Sequence, residues 1–367
     1  MGDAHRIGVV GLGVISRAYL DTLVGHPAVR ITAVADLDAS RSAAVAAQLP
    51  GVQALSVEEL LSSPDVDTVL NLTVPAAHAE IALGAIAHGK HVYGEKPLAV
   101  ELTEARTVLE AAAKAAVGVG CAPDTVLGTG VQTARAAVEA GAVGRPLFAS
   151  AAMVTPGHER WHPHPDFYYT AGGGPLLDMG PYYLSSLVHL LGPVRAVIGA
   201  SSRLRTERVI GSGPRAGERI PVEVDSHVSG VLEHEGGTLT TITTSFDGVA
   251  TTAAPIEVHG DKGTLMVPDP NNFDGDVRLL ELGEREKGWR TLLPSAGYVG
   301  AARGVGLLDF VAADGLRAPR ASGELALHVL ETMTALLRSS AEGRRIELST
   351  SVERPVPVPL TPPPEWR

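Results

Sequence analysis

The sequence predicts two α/β units: an N-terminal doubly wound parallel sheet, then an α+β domain built on a large, mostly antiparallel sheet. Three observations carry this reading. Over about the first 120 residues, short apolar runs alternate with helix-like segments, as strands joined by helical crossovers do. After Pro123, strand-like runs follow one another with glycine turns between them, the pattern of antiparallel hairpins. A length of 367 residues suits two domains or slightly more. The expected division is 1–122 and 123–367.

In the first domain, Arg6 to Val10 is β-like, and Ser16 to Val24 sets Leu20, Leu23 and Val24 at helical spacing. Ile31 to Ala35 is a second strand, ending at Asp36, and Ala-rich Ser40 to Leu49 is helical. Val57 to Leu61 reads as a short helix and Val66 to Leu72 as a strand. His78 to His88 is helical, His91 to Tyr93 extended, Thr103 to Ala116 helical, and Val117 to Cys121 extended again.

In the second domain a helix from Val126 to Ala140 ends at Gly141, a good C-cap residue. Strands follow at Leu147 to Val154, Val194 to Ser201, Val222 to Glu233, Thr238 to Ser245, Pro255 to His259 and Gly263 to Val267. Glu235-Gly236-Gly237 and Gly260-Asp261-Lys262-Gly263 are the hairpin turns. Arg203 to Arg219, rich in Arg and Gly, reads as a solvated loop, and Gly323 to Arg338 as a late helix. Pro355 to Pro364 is an extended surface strap.

Composition narrows the function classes. With 45% hydrophobic and 19% charged residues, the chain can bury a core and is not disordered. A net charge of -11 argues against gripping nucleic acid through its phosphates, and 4% aromatics against a base-stacking platform. No apolar run approaches the ~20 residues of a membrane span, so no membrane partner is expected. The single cysteine, Cys121, rules out an intrachain disulfide and fits a reducing, cytoplasmic setting.

The first strand runs into Gly11-Leu12-Gly13-Val14-Ile15-Ser16. Gly11 permits a tight turn and Gly13 lets backbone approach a pyrophosphate, while the helix opening at Val14 and Ile15 aims its N–H groups at phosphate. Ser16 stands where Gly or Ala is usual. Asp36, at the end of the second strand, can accept both hydrogen bonds of an adenosine ribose diol, or it can simply turn the loop. A carboxylate there favours NAD over NADP, although Arg41 nearby could serve a 2′-phosphate. The domain is therefore expected to be a Rossmann-type dinucleotide-binding fold.

Ligands of such sheets lie beyond the carboxyl ends of the strands, so Thr73, Pro75 and His78 are expected to line the cofactor groove. Glu95-Lys96-Pro97 ends the next strand, placing Lys96 toward the nicotinamide end. Further on, Gly172-Gly173-Gly174-Pro175 leads to Asp178 and Tyr182, four apart and on one face if helical. Pro181 suits only a first turn, which puts Asp178 near the helix N-terminus. A phenol, a carboxylate and an ammonium make a proton-transfer set, but locally an N-cap Asp and a packing Tyr explain the stretch as well. His158, His162, His164 and Asp166 could bind metal by count, yet Pro163 and Pro165 make the loop extended, so no metal site is expected. Trp161, His162 and Tyr168 are expected instead to line a substrate pocket.

Taken together, the Gly11/Gly13 turn, Thr73 to His78, Glu95-Lys96-Pro97 and Gly172 to Tyr182 resemble the Gfo/Idh/MocA oxidoreductase family in order and spacing. The matching pieces span about half the chain, and the strand-rich remainder fits the family's C-terminal domain. The resemblance implies an NAD(P)-dependent dehydrogenase moving a hydride between nicotinamide and a secondary hydroxyl or carbonyl of a sugar or cyclic polyol. It implies that Lys96 is catalytic, Glu95 near the nicotinamide ribose, the Lys96–Pro97 bond cis, and Asp178 a sugar contact. Many members carry His where this chain has Tyr182, which points to the family's tyrosine-containing branch and away from inositol dehydrogenases. Tyr182 is then the acid/base, with Lys96 as its electrostatic partner. A homodimer or homotetramer, formed through the open face of the C-terminal sheet, is implied too. Alternatives are an NAD-dependent glycosidase that oxidises its sugar transiently, and a non-catalytic cofactor-binding sensor.

Overall fold

The computed structural model describes residues 4–313 and 317–366. Two compact units emerge, and they are not the contiguous pair 1–122 and 123–367. One runs to Leu127 and takes in Tyr298–Leu327 and the chain from Leu360 on; the other comprises Gly128–Gly297 and His328–Pro359.

The first unit is built on six strands: β1 (His5–Val10), β2 (Val29–Ala35), β3 (Gln53–Ala54), β4 (Thr68–Asn71), β5 (His91–Gly94) and β6 (Val119–Cys121). Their order is β3-β2-β1-β4-β5-β6, all parallel. Ile7, Val9, Val10, Val34, Val69, Leu70 and Tyr93 are buried, which explains why these strands read as unbroken apolar runs: both faces of a parallel sheet are covered. Helices α1 (Val14–Leu23), α2 (Ala39–Gln48), α3 (Val57–Ser62), α4 (His78–Ala87) and α5 (Leu102–Ala115) make the crossovers. Asp38 caps α2, and Ser56 with Glu59 forms a capping box on α3. The order reverses between β1 and β4, the switch point beyond which ligands of such sheets bind.

Segments distant in the chain return to this unit. Phe310 packs edge-on against Tyr93 and His91, and the Cys121 N–H donates to the Ala321 carbonyl at 3.0 Å. Asp124, fully buried after β6, accepts from the N–H groups of Gly304 (2.8 Å) and Gly306 (3.2 Å) and from Arg303 Nη1 (3.4 Å).

The second unit carries helix α6 (Thr129–Glu139), strand β7 (Pro146–Val154), helix α7 (Pro175–Leu191) and strands β8 (Val194–Ser202), β9 (Glu207–Val209), β10 (Arg219–Pro221), β11 (His227–His234) and β12 (Leu239–Ser245). Strands β13 (Ile256–Gly260), β14 (Gly263–Val267), β15 (Val277–Glu281), β16 (Arg290–Leu292) and β17 (Ile346–Glu347) complete its main sheet. Nine strands run in the order β16-β15-β14-β13-β7-β12-β11-β8-β17, antiparallel except for the parallel β7–β12 pair. Both glycine turns close antiparallel hairpins, β11–β12 and β13–β14. Helix α8 (Val305–Ala313) belongs to the first unit, and α9 (Gly323–Glu342) extends past the expected Arg338. A short last helix, α10 (Pro363–Trp366), ends the described chain.

Two expectations need correcting here. The segment Arg203 to Arg219 is not simply a solvated loop, because β9 and β10 pair as a separate two-stranded ribbon with Ile220 and Arg208 buried. The expected strand Val222 to Glu233 accordingly breaks, its main part beginning only at His227.

His234 closes β11 with its ring fully buried. Nδ1 lies 2.7 Å from the Gly192 carbonyl, which can only accept, so Nδ1 carries a proton; Nε2 lies 2.9 Å from the Thr240 hydroxyl, which can donate to the neutral ring. Burial, with a smaller contribution from His328, lowers its pKa to about 4. Because an unfolded histidine titrates near 6.5, the unfolded chain takes up a proton there that the native ring refuses. Stability is therefore complete above pH ~6.5 and falls on acidification toward pH ~4, by on the order of 3 kcal/mol. Urea midpoints of the wild type between pH 7.5 and 4.5 should show that slope, and His234→Gln should flatten it.

Candidate active site

At the edge of the first sheet, the turn after β1 meets the end of β4. Gly11 has φ +93°, and a Cβ there would stand 2.6 Å from the Leu72 carbonyl carbon. Only glycine satisfies both the backbone angle and the contact. Gly13 is different: a Cβ there would meet no protein atom within 4 Å, so bare backbone faces open space. No side chain caps α1, and Val14 at its start is 98% exposed. The first turn of α1 is thus uncapped by any side chain and shaped for an anion, as dinucleotide binding requires. Gly11→Ala is expected to cost about 1–3 kcal/mol through the forced positive φ and to weaken NADH binding, both measurable by thermal melting and fluorescence titration.

Asp36 does turn the loop. Its Oδ2 accepts the Leu12 N–H at 2.8 Å and its Oδ1 the Asp38 N–H at 2.9 Å, stapling the glycine turn to the end of β2. Those bonds occupy two of roughly four acceptor directions on a carboxylate, so they leave room for a ribose diol. Arg41 lies 3.7 Å from Asp36 and 3.6 Å from Asp38, its charge directed at carboxylates. Leu37 and Val74 are 100% and 67% exposed just past β2 and β4. Apolar residues in turns, where polar ones are usual, are their signal in the sequence. With Val14 they leave apolar surface at the strand ends for a flat aromatic base to cover.

Thr73 folds back on Asn71, its hydroxyl donating to Oδ1 at 2.7 Å, and Pro75 opens a short exposed turn. His78 does not face this groove. Its ring is buried, with Nδ1 2.6 Å from the Pro97 carbonyl and Nε2 3.0 Å from the Thr73 carbonyl. It ties the two strand-end loops together. The Glu95 carboxylate accepts the Tyr19 hydroxyl at 2.8 Å and the Lys96 N–H at 3.0 Å. The Lys96–Pro97 bond is cis, as the resemblance implied, and Lys96 itself is half-buried.

In the second unit, Asp178 stands in the first turn of α7, but Pro175, not Pro181, opens that helix; Pro181 lies within it. Tyr182, one turn on, is buried. A partner of Asp178 is His158, which the sequence offered only as a metal ligand by count; its Nε2 lies 3.1 Å from Asp178 Oδ2. The His158 ring packs on Phe246 (4.6 Å between centroids), Tyr168 (4.7 Å) and Trp161 (5.2 Å). His162 sits 5.6 Å from Tyr168, and burial pushes its imidazole below the usual value. Trp161, Tyr168 and Asp178 thus gather around a single imidazole, with His162 beside Trp161 and Tyr168.

This loop is pinned from below by buried charges. Arg208 donates to the Pro156 carbonyl (3.1 Å), Glu159 Oε1 (3.2 Å), the Phe246 carbonyl (2.9 Å) and Asp247 Oδ1 (2.6 Å). Tyr169 donates to Glu159 Oε2, and burial, then that carboxylate, push the phenol's pKa upward. A cavity of about 520 Å³, lined by Gly172–Gly174, Leu176, Leu177, Arg203 and Asp225 among others, opens beside the glycine run. By helical spacing it lies on the face of α7 away from Asp178 and Tyr182. Among the described residues no helix is long and apolar enough to cross a membrane, and no three His, Cys, Asp or Glu side chains are arranged to hold a metal ion.

Comparison with known proteins adds identity to this geometry. Residues 5–122 match the oxidoreductase family with the NAD-binding Rossmann fold, and residues 131–266 match the GFO/IDH/MocA C-terminal domain. The chain is 29% identical over 358 residues to the 1,5-anhydro-D-fructose reductase of Ensifer adhaerens, covering 95% of this chain and 100% of that protein. It is 29% identical over 301 residues to inositol 2-dehydrogenase 3 of Saccharopolyspora erythraea, covering 81% and 78% of the two chains. The crystal structure of an NAD-binding oxidoreductase from Klebsiella pneumoniae superposes with a TM-score of 0.80 at 24% identity, over 95% of this chain and all of that one. With an uncapped glycine turn at the switch point and both domains matched, the chain belongs to the GFO/IDH/MocA family of NAD-binding oxidoreductases.

Proposed function

We propose that this enzyme transfers a hydride between NAD and a secondary hydroxyl or carbonyl of a sugar or cyclic polyol. The observation that carries the substrate class is the His158–Asp178 pair set among Trp161, Tyr168 and Phe246. A carboxylate accepts hydroxyl hydrogen bonds, and aromatic faces suit the C–H faces of a ring. Relatives that act on an anhydrosugar and on inositol support the same class.

When bound, NAD supplies the hydride acceptor or donor. Gly11, Gly13, Val14 and Ile15 hold its pyrophosphate, Asp36 its adenosine ribose, and Thr73, Pro75, Glu95 and Lys96 its nicotinamide half. Asp178 anchors a substrate hydroxyl, with Trp161, His162 and Tyr168 lining the sugar. Tyr182 takes or returns the proton of the reacting hydroxyl, and Lys96 supplies positive charge for that transfer. The preference is for NAD over NADP, since Asp36 would meet a 2′-phosphate with like charge. The single cysteine suits the cytoplasm, and exposed Phe148, Ile198 and Leu239 on the main sheet suit self-association into a dimer or tetramer.

Reduced-nicotinamide absorbance tests this reading, with NAD or NADP and a panel of aldoses, anhydrosugars and inositols. A signal that depends on one sugar and disappears in Lys96→Met is the expected result. Bound NAD with glycoside cleavage but no net reduction would replace it with the redox-assisted glycosidase. Absence of nicotinamide binding would overturn the roles of Gly11, Gly13 and Asp36.

A further inference from the structure

Tyr19 lies in α1, the helix that begins at the dinucleotide turn, and is fully buried. A buried hydroxyl is costly unless bonded, and a phenylalanine would fill most of the same space. The phenol here reaches Glu95 Oε1 at 2.8 Å, while Glu95 Oε2 accepts the backbone N–H of Lys96 at 3.0 Å. The Glu95 carboxylate is therefore a bridge from α1 to the lysine. Burial, then the nearby carboxylates Glu95 and Asp124, raise the Tyr19 pKa well above its ordinary value, so the phenol remains a donor.

Other ties hold the backbone around the same turn. The Glu95 N–H donates to the Asn71 carbonyl at 2.9 Å, Cys121 Sγ lies 3.6 Å from the Glu95 carbonyl, and His78 engages the Pro97 carbonyl. Tyr19 differs in what it grips. It orients the carboxylate to which the Lys96 N–H is anchored, and it does so from the helix whose first turn is shaped for the cofactor.

We propose that Tyr19 is a positioning residue for Lys96, acting through the Glu95 carboxylate. Removing the phenol hydroxyl frees that carboxylate to rotate and unfastens the Lys96 N–H, so the lysine samples a wider range of positions. This inference rests on the assignment of Lys96 to catalysis. A group displaced by about 1 Å from its working geometry can lose roughly a hundredfold in rate.

Tyr19→Phe, Glu95→Gln and the double variant test the proposal in the full-length protein, read by amide hydrogen exchange and steady-state kinetics on the sugar that responds in the panel. In Tyr19→Phe, exchange of the Lys96 amide should accelerate about tenfold or more while β1 and β4 amides keep their protection. The kcat should fall roughly ten- to hundredfold, with KM for the sugar unchanged. In the Glu95→Gln background, Tyr19→Phe should add no further loss, because the two act as one unit. An unchanged Lys96 amide, exchange rising uniformly across the sheet, an unaltered kcat, or losses that multiply in the double variant would each overturn the proposal. If no sugar in the panel reduces NAD with the wild type, the substrate reading fails separately, and the exchange arm still decides whether Tyr19 holds Lys96.

Discussion

Lys96→Met is expected to lower turnover of the responsive sugar by roughly 10²–10⁴-fold, the range associated with losing a proton-transfer group. Tyr182→Phe should fall in the same range. NADH binding should survive Tyr182→Phe, since the glycine turn proposed to hold the pyrophosphate belongs to the other unit, and the open space beside Gly13 is untouched. Single-turnover measurements at several pH values provide the check. Retention of near wild-type turnover by both variants would show that the proton moves by another group, and His158, 3.1 Å from Asp178, would be the first to examine.

Arg208→Met is expected to destabilise the second unit by about 3–5 kcal/mol, the cost of leaving a buried charge without its partner. Arg208 and Glu159 are both buried, 3.2 Å apart, and Arg208 also holds Asp247 and two backbone carbonyls. Methionine fills a similar volume but leaves the Glu159 carboxylate facing Tyr169 alone. Adding Glu159→Gln should recover part of the loss, because the amide removes the uncompensated charge while keeping an acceptor for the Tyr169 hydroxyl. Calorimetric melting of both variants decides this, and a loss no greater than that of an exposed arginine would refute a structural role for the cluster. Since Glu159 follows His158 directly, the sugar KM is expected to rise in Arg208→Met even where the protein remains folded.

Much of the fold was readable because its signals are local. Buried parallel strands show as apolar runs, crossovers as helical periodicity, and hairpins as glycine pairs, each within about ten residues. The misreadings have a common cause. Helix α8 is apolar nearly all round, with Val305 to Phe310 buried, so no amphipathic stripe marked it. The ribbon of β9 and β10 was hidden by a composition that usually means solvent, until Arg208 and Ile220 proved to be interior. Pro181 alone suits a first turn, whereas Pro175 already occupies that place in α7.

The candidate site divides along the same line. By itself the sequence determined the doubly wound sheet, the Gly11–Gly13 turn, Asp36 at a strand end and Lys96 at another, because each depends on a residue type at a fixed offset from its own strand. Only the tertiary structure decided which side chains meet. His158 joins Asp178 across 20 positions, Arg208 joins Glu159 across 49, and Tyr19 joins Glu95 across 76. It also turned His78 away from the groove and onto two carbonyls. Pairings of this kind leave no periodicity in the chain: a hydrogen bond is chosen by the distance and direction that packing creates, and sequence spacing carries neither.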